Sequence, residues 1–198
     1  MIFTFIIIMK ITDLVEKNNL FCDPKNNFKP YTGNVKGQLE GNFNEGKLNG
    51  KWIEYFNNGK IASIINYCKN QISGEYKTFF KNGNIKELGE VISEKWHGKY
   101  CNYYENGNIR EEKNYSKGTL SGKFLYYYNN GKIKEDKFYI QGKLEGKCLN
   151  FYSSGKVWIE SKYKNGKLEG NRNVYYENGN VEKSEIYKDG FKIGKPYH

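Results

Sequence analysis

One phrase, Gly-Lys-x-x-x-aromatic-aromatic-x-Asn-Gly-x-Ile, returns every 24 residues without an insertion, and no other feature constrains the fold as tightly. Its leading glycines are Gly50, Gly74, Gly98, Gly122, Gly146, Gly170 and Gly194; its turn glycines are Gly59, Gly83, Gly107, Gly131, Gly155 and Gly179. A period this strict means small identical units stacked side by side, each burying its surface on its neighbours. Such an array offers a long surface rather than a pocket, which points to binding.

Each unit carries two turn signals. Asn58-Gly59, Asn82-Gly83, Asn106-Gly107, Asn130-Gly131, Ser154-Gly155 and Asn178-Gly179 read as two-residue type I′ hairpins, because that turn needs positive φ at both central positions. Half a period later come Lys117-Gly118, Gln141-Gly142, Asn165-Gly166 and Asp189-Gly190. Strands of roughly eight residues should therefore run up and down in sequence. The expected fold is all-β: an elongated antiparallel hairpin meander forming a single-layer twisted ribbon. Residues 9–45 are expected to cap an array spanning 46–198.

With Asn58-Gly59 central, Phe56 should face Ile61, Trp52 should face Ile65 and Gly50 should face Tyr67; Asn165-Gly166 likewise sets Tyr163 opposite Leu168. The predicted core face carries Phe56, Phe80, Tyr104, Tyr128, Tyr152 and Tyr176 with β-branched Ile61, Ile85, Ile109, Ile133, Val157 and Val181. The other face is mostly Lys, Glu, Ser and Asn, yet shows one ring per unit: Tyr55, Phe79, Tyr103, Tyr127, Phe151 and Tyr175. On this register Phe79 faces Lys86, Tyr103 faces Arg110, Tyr127 faces Lys134 and Phe151 faces Trp158. That ladder, with Arg110, Lys134 and Trp158, is the candidate partner-binding surface. Trp96 and His97 join it because Ser93-Glu94-Lys95-Trp96-His97 departs from the repeat, and Trp is enriched at binding hot spots. A one-residue bulge in the first turn would exchange the two faces.

Composition narrows the chemistry. The net charge is +10, but Arg110 and Arg172 are the only arginines, and 26 asparagines accompany the lysines. Scarce Arg disfavours phosphate clamping, so no specific nucleic-acid binding is expected, and an anionic membrane surface is a secondary reading. Cys22, Cys68, Cys101 and Cys148 fall at no metal-ligand spacing and read as free thiols of a reducing, cytoplasmic compartment. His97 is the one internal histidine, and neither paired acids nor a phosphate-cradling loop occur. No enzyme, cofactor or metal is expected. Residues 1–8 are apolar and too short to span a bilayer; they read as an upstream extension before Met9, or as a degenerate signal that would make the chain membrane-associated or exported.

The run from Gly98-Lys99-Tyr100 through Tyr103-Tyr104-Glu105-Asn106-Gly107-Asn108-Ile109, followed by Tyr115, Gly118, Leu120 and Gly122, resembles the MORN repeat in its bacterial variant form. The resemblance covers residues 46–194. It implies a ribbon of hairpins used as a protein scaffold or phospholipid-binding segment. Similar bacterial proteins are grouped as YwqK-family antitoxins, which implies a toxin as partner. An aromatic-ladder carbohydrate or cell-wall module is a further alternative, weakened because Trp52, Trp96 and Trp158 occupy three different repeat positions.

Overall fold

A computed structural model describes residues 9–194, so the expectations for residues 1–8 lie outside the described residues. The chain divides into two compact units, Met1–Lys95 and Trp96–His198. The first holds a small three-stranded sheet of β1 (Val15–Lys17), β2 (Leu20–Asp23) and β3 (Lys29–Pro30), followed by a meander. The meander comprises β4 (Gly33–Val35), β5 (Leu39–Asn44), β6 (Lys47–Tyr55), β7 (Ile61–Cys68), β8 (Gln71–Phe79) and β9 (Ile85–Ile92). The second unit continues with β10 (Lys95–Tyr103), β11 (Ile109–Ser116), β12 (Thr119–Leu120), β13 (Gly122–Tyr127) and β14 (Ile133–Ile140). Then come β15 (Lys143–Leu144), β16 (Gly146–Phe151), β17 (Val157–Lys164), β18 (Lys167–Tyr175), β19 (Val181–Lys188) and β20 (Phe191–Gly194). Within each unit the meander strands pair antiparallel with their neighbours in sequence; β12 with β13, and β15 with β16, are single strands interrupted at Ser121 and Glu145. The antiparallel hairpin meander is therefore the fold.

The Asn-Gly turns differ in type from the expectation. Of the pair Asn58-Gly59 only Gly59 takes positive φ, at +79°. The Phe56 carbonyl accepts from the Gly59 amide at 2.9 Å, and the Phe56 amide donates to the Lys60 carbonyl at 2.8 Å. The loop is thus Asn57-Asn58-Gly59, a type I turn closed by a glycine bulge. Asparagine suits it because its side chain serves two turns at once. Asn58 Oδ1 accepts from the Lys60 amide at 3.0 Å, while its Nδ2 donates to the Lys81 carbonyl of the next repeat at 3.3 Å. Asn130 repeats both contacts, with Lys132 and Ser153.

Type I′ geometry sits instead at the second turns, where both residues have positive φ: Lys117 at +50° and Gly118 at +82°, for example. Even Ser93-Glu94, which lacks glycine, holds it at +48° and +62°. The second-turn amide then reaches back one repeat, as when Gly142 donates to the Leu120 carbonyl at 2.7 Å.

The three-residue loop shifts register at the turn end alone. Gly50 pairs with Tyr67, Trp52 with Ile65 and Tyr163 with Leu168, as expected. Nearer the turn, however, Tyr55 rather than Phe56 pairs with Ile61, and Ala62 is left over as a bulge residue. The same skip leaves Lys86, Arg110, Lys134, Trp158 and Glu182 unpaired. Phe79 therefore faces Ile85, Tyr103 faces Ile109, Tyr127 faces Ile133 and Phe151 faces Val157; the expected pairings with Lys86, Arg110, Lys134 and Trp158 do not form.

The first unit is built on an apolar core. Leu14, Val35, Phe43 and Trp52 are buried together, with Phe21, Tyr31 and Tyr67 packed against them. Phe43 lies 4.8 Å from Phe21 and 4.9 Å from Trp52, ring centre to ring centre. Gly41 is required beside them, since a Cβ there would come within 2.2 Å of the Trp52 indole. Burying an aromatic of this size contributes about 1.5–3 kcal/mol.

Candidate interaction surface

Strand alternation gives the second unit two faces, and rings stand on both. One face carries Tyr103, Tyr127, Phe151 and Tyr175, each paired with a β-branched residue and each half-buried. The other carries Tyr104, Tyr128 and Tyr152, also half-buried, and Tyr176, which is 50% exposed. The expected contrast between a core face and an exposed ladder is not found. Each aromatic row is matched to β-branched or cationic neighbours, and neither is a core.

Three phenols link consecutive repeats. Tyr104 Oη donates to the Tyr127 carbonyl at 2.7 Å, Tyr128 Oη to that of Phe151 at 2.7 Å, and Tyr152 Oη to that of Tyr175 at 2.8 Å. The doubled aromatic in the repeat phrase thus has two tasks in this unit: one ring packs on the hairpin partner and the next ties the backbone of the following repeat.

Bulge residues escape the strict alternation, and bulges re-aim side chains. Arg110 lies over the Tyr104 and Tyr126 rings at 5.9 and 6.0 Å, and Lys134 over Tyr126 and Tyr128 at 5.5 and 5.4 Å. The two basic residues meet rings, as the sequence suggested, but different ones from those named. Arg110 Nε donates to Tyr126 Oη at 3.3 Å, and that hydrogen bond is the main reason the Tyr126 phenol is held below its ordinary value. Trp158, 41% exposed, sits 5.9 Å from the Tyr152 ring. Trp96 packs edge-on against Tyr100 at 4.8 Å, its carbonyl accepting from the Gly118 amide at 2.8 Å. His97, half-buried, follows on the side of β10 that carries Cys101 and Tyr103.

A different feature stands out in the first unit, where Tyr55 and Phe79 lie. A cleft of about 1080 Å³ opens beside the Asn-Gly turns, with Tyr55, Phe56 and Phe79 among its aromatic walls and Ile11 and Leu39 adding aliphatic surface. Lys10, Lys36, Lys81 and Lys86 also line it. Among the described residues none of these four ammonium groups has a carboxylate at ion-pair distance. Ala62, the smallest of the bulge residues, also lines the cleft; the same position holds Lys86, Arg110, Lys134, Trp158 and Glu182 further on. The sequence pattern singled out Lys86, as a partner for Phe79, but not Lys10, Lys36 or Lys81. Their signal was available at the turn position: Lys81 stands where later repeats have Glu105, Asn129, Ser153 and Glu177.

Residues 48–69, 72–92, 96–117, 120–141, 144–165 and 168–189 each match the MORN repeat variant. The chain belongs to that family. Its repeats are modules that bind proteins or membranes, not catalytic units. No curated protein matches the chain. Among the described residues no group of three or more His, Cys, Asp or Glu side chains is placed to hold a metal ion.

Proposed function

We propose that this MORN-variant array is a non-enzymatic protein-binding scaffold, and that its specific form is the antitoxin of a toxin–antitoxin pair acting in the cytoplasm by covering its partner. The observation that carries the reading is the bulge position. Every repeat displays one side chain there, and across six repeats it is Ala62, Lys86, Arg110, Lys134, Trp158 and Glu182. A uniform frame presenting a different side chain at each step is how a repeat surface distinguishes one partner from another. The half-buried rings Tyr103, Tyr127, Phe151 and Tyr175 are assigned to the frame, while Trp158, Arg110 and Lys134 are proposed as contacts.

The test is co-expression with the product of the adjacent gene. Rescue of growth arrest by this chain, lost when Arg110, Lys134 and Trp158 are all changed to Ser, is the expected result. No complex by size-exclusion chromatography, together with co-sedimentation of the chain with anionic vesicles, would transfer the reading to membrane binding.

A further inference from the structure

We infer that the cleft of the first unit receives an acidic segment bearing apolar side chains, supplied by the protein partner; the inference rests on the scaffold reading above. Charge complementarity comes first. Lys10, Lys36, Lys81 and Lys86 face the cleft without carboxylate partners among the described residues, and Glu54 is the one acidic residue among those lining it. A net positive concave wall concentrates its field on whatever enters it.

Shape and apolar lining decide between anionic occupants. A bilayer presents a broad surface and cannot follow a chain-sized recess, whereas an extended peptide can. Aliphatic Ile11 and Leu39 beside Tyr55 and Phe79 suit Leu or Phe side chains; a nucleic-acid strand would use the rings for stacking but gain little from the aliphatic walls. The side-chain amides of Gln38 and Asn57 are available to peptide backbone, since the Gln38 Nε2 to Asn57 Oδ1 bond, at 3.1 Å, uses only part of their capacity.

The recess exists here for a local reason. Ala62 occupies a bulge position that elsewhere carries Lys, Arg, Trp or Glu, and its methyl group fills none of the volume those side chains would take. Lys81 supplies a positive turn where the array otherwise has neutral residues or Glu. Both departures fall in the first two repeats and serve the same recess.

Three substitutions test this with residues that the array already tolerates at equivalent positions: Ala62→Trp after Trp158, Lys81→Glu after Glu105, and Lys86→Glu after Glu182. The full chain is titrated by fluorescence anisotropy with a short labelled peptide alternating Glu with Leu and Phe. The same peptide with Gln for Glu, a thymidine oligonucleotide and phosphatidylserine vesicles serve as competitors. Lys81→Glu with Lys86→Glu should weaken the acidic peptide by about tenfold or more and flatten its salt dependence. Ala62→Trp should weaken it at any salt concentration, and Lys147→Glu in the second unit should not. Unchanged melting curves confirm that the variants fold. Equal binding of the Glu and Gln peptides, insensitivity to the substitutions, or displacement by vesicles or oligonucleotide at lower concentration than by unlabelled peptide would each overturn the inference. If the adjacent-gene product binds the variants as it binds the parent chain, the cleft inference fails and the scaffold reading stands. If that protein never binds while the peptide shows the expected pattern, the cleft chemistry stands and the scaffold reading falls.

Discussion

The two units use one repeat and are held together differently. In the first, Leu14, Val35, Phe43 and Trp52 form an apolar cluster closed by residues that precede the repeats. In the second, cations lie between rings: Lys113 stands 5.9 Å from Tyr100 and 5.7 Å from Phe124, and also pairs with Glu111 at 2.7 Å. The doubled aromatic changes accordingly. It ends in Phe56 and Phe80 in the first unit but in Tyr104, Tyr128 and Tyr152 in the second, where the hydroxyls bind the next repeat. A sheet with few fully buried side chains has little hydrophobic stabilisation to draw on. It must be capped, as residues 9–45 are proposed to do, or linked edge to edge by polar and cation–π contacts.

The sharpest way to break this comparison is Trp52→Ala. Loss of a buried indole should cost about 3–5 kcal/mol, read by denaturant unfolding. The corresponding change at the cation, Lys113→Ala, should cost about 1 kcal/mol. Equal losses would show that the second unit is no less dependent on a single anchor than the first.

Next come the hairpin pairs. Because Tyr103 faces Ile109 directly, Tyr103→Ser and Ile109→Ser should destabilise similarly, each by about 1–2 kcal/mol for a half-buried side chain. A far smaller loss for Tyr103→Ser would restore the exposed ladder that the turn bulge argues against.

Tyr128→Phe removes one link between repeats, and about 0.5–1.5 kcal/mol should go with it. The converse change, Phe56→Tyr, should gain a smaller amount if its hydroxyl finds the Phe79 carbonyl. No change in thermal midpoint for either variant would mean that the phenols are ornaments of the second unit, not its ties.

The last expected effect is confined to the final hairpin. Glu185 is buried and paired with Lys192 at 2.7 Å, Lys183 at 2.9 Å and Arg172 at 3.2 Å. Hydrogen bonds from Lys192 and then Lys183 hold its carboxyl down to about 2, against an ordinary value of 4.5. A lowered folded value means the contribution is complete above the ordinary carboxyl range and lost as pH falls from 4.5 through about 2. Hydrogen exchange of β19 and β20 should accelerate across that window, with the first unit unaffected, and Glu185→Gln should abolish the dependence. Uniform acceleration in both units would assign the acid response to other carboxylates.

Much of this architecture was written in the period. Two turn signals per 24 residues set strand number, direction and mid-strand register, so Gly50 opposite Tyr67 and Tyr163 opposite Leu168 followed from spacing alone. Register is legible because side chains alternate with a period of two and any slip turns a whole strand over. What spacing could not supply was the turn type. Asn-Gly is compatible with a two-residue type I′ loop and with a three-residue loop ending in a glycine bulge, and the folded chain takes the second, with the Phe56 carbonyl accepting from the Gly59 amide and Asn58 bonding to Lys81 of the next repeat. That choice moved Arg110, Lys134 and Trp158 onto different partners, and with them the candidate surface. The cleft was hidden for a related reason: Lys10 and Lys36 come from outside the repeat, and only folding brings them to Lys81 and Lys86. The local pattern determined the strands because backbone pairing is repetitive. The tertiary structure decided the surface, because a bulge of one residue redirects a side chain at no cost that the sequence pattern records.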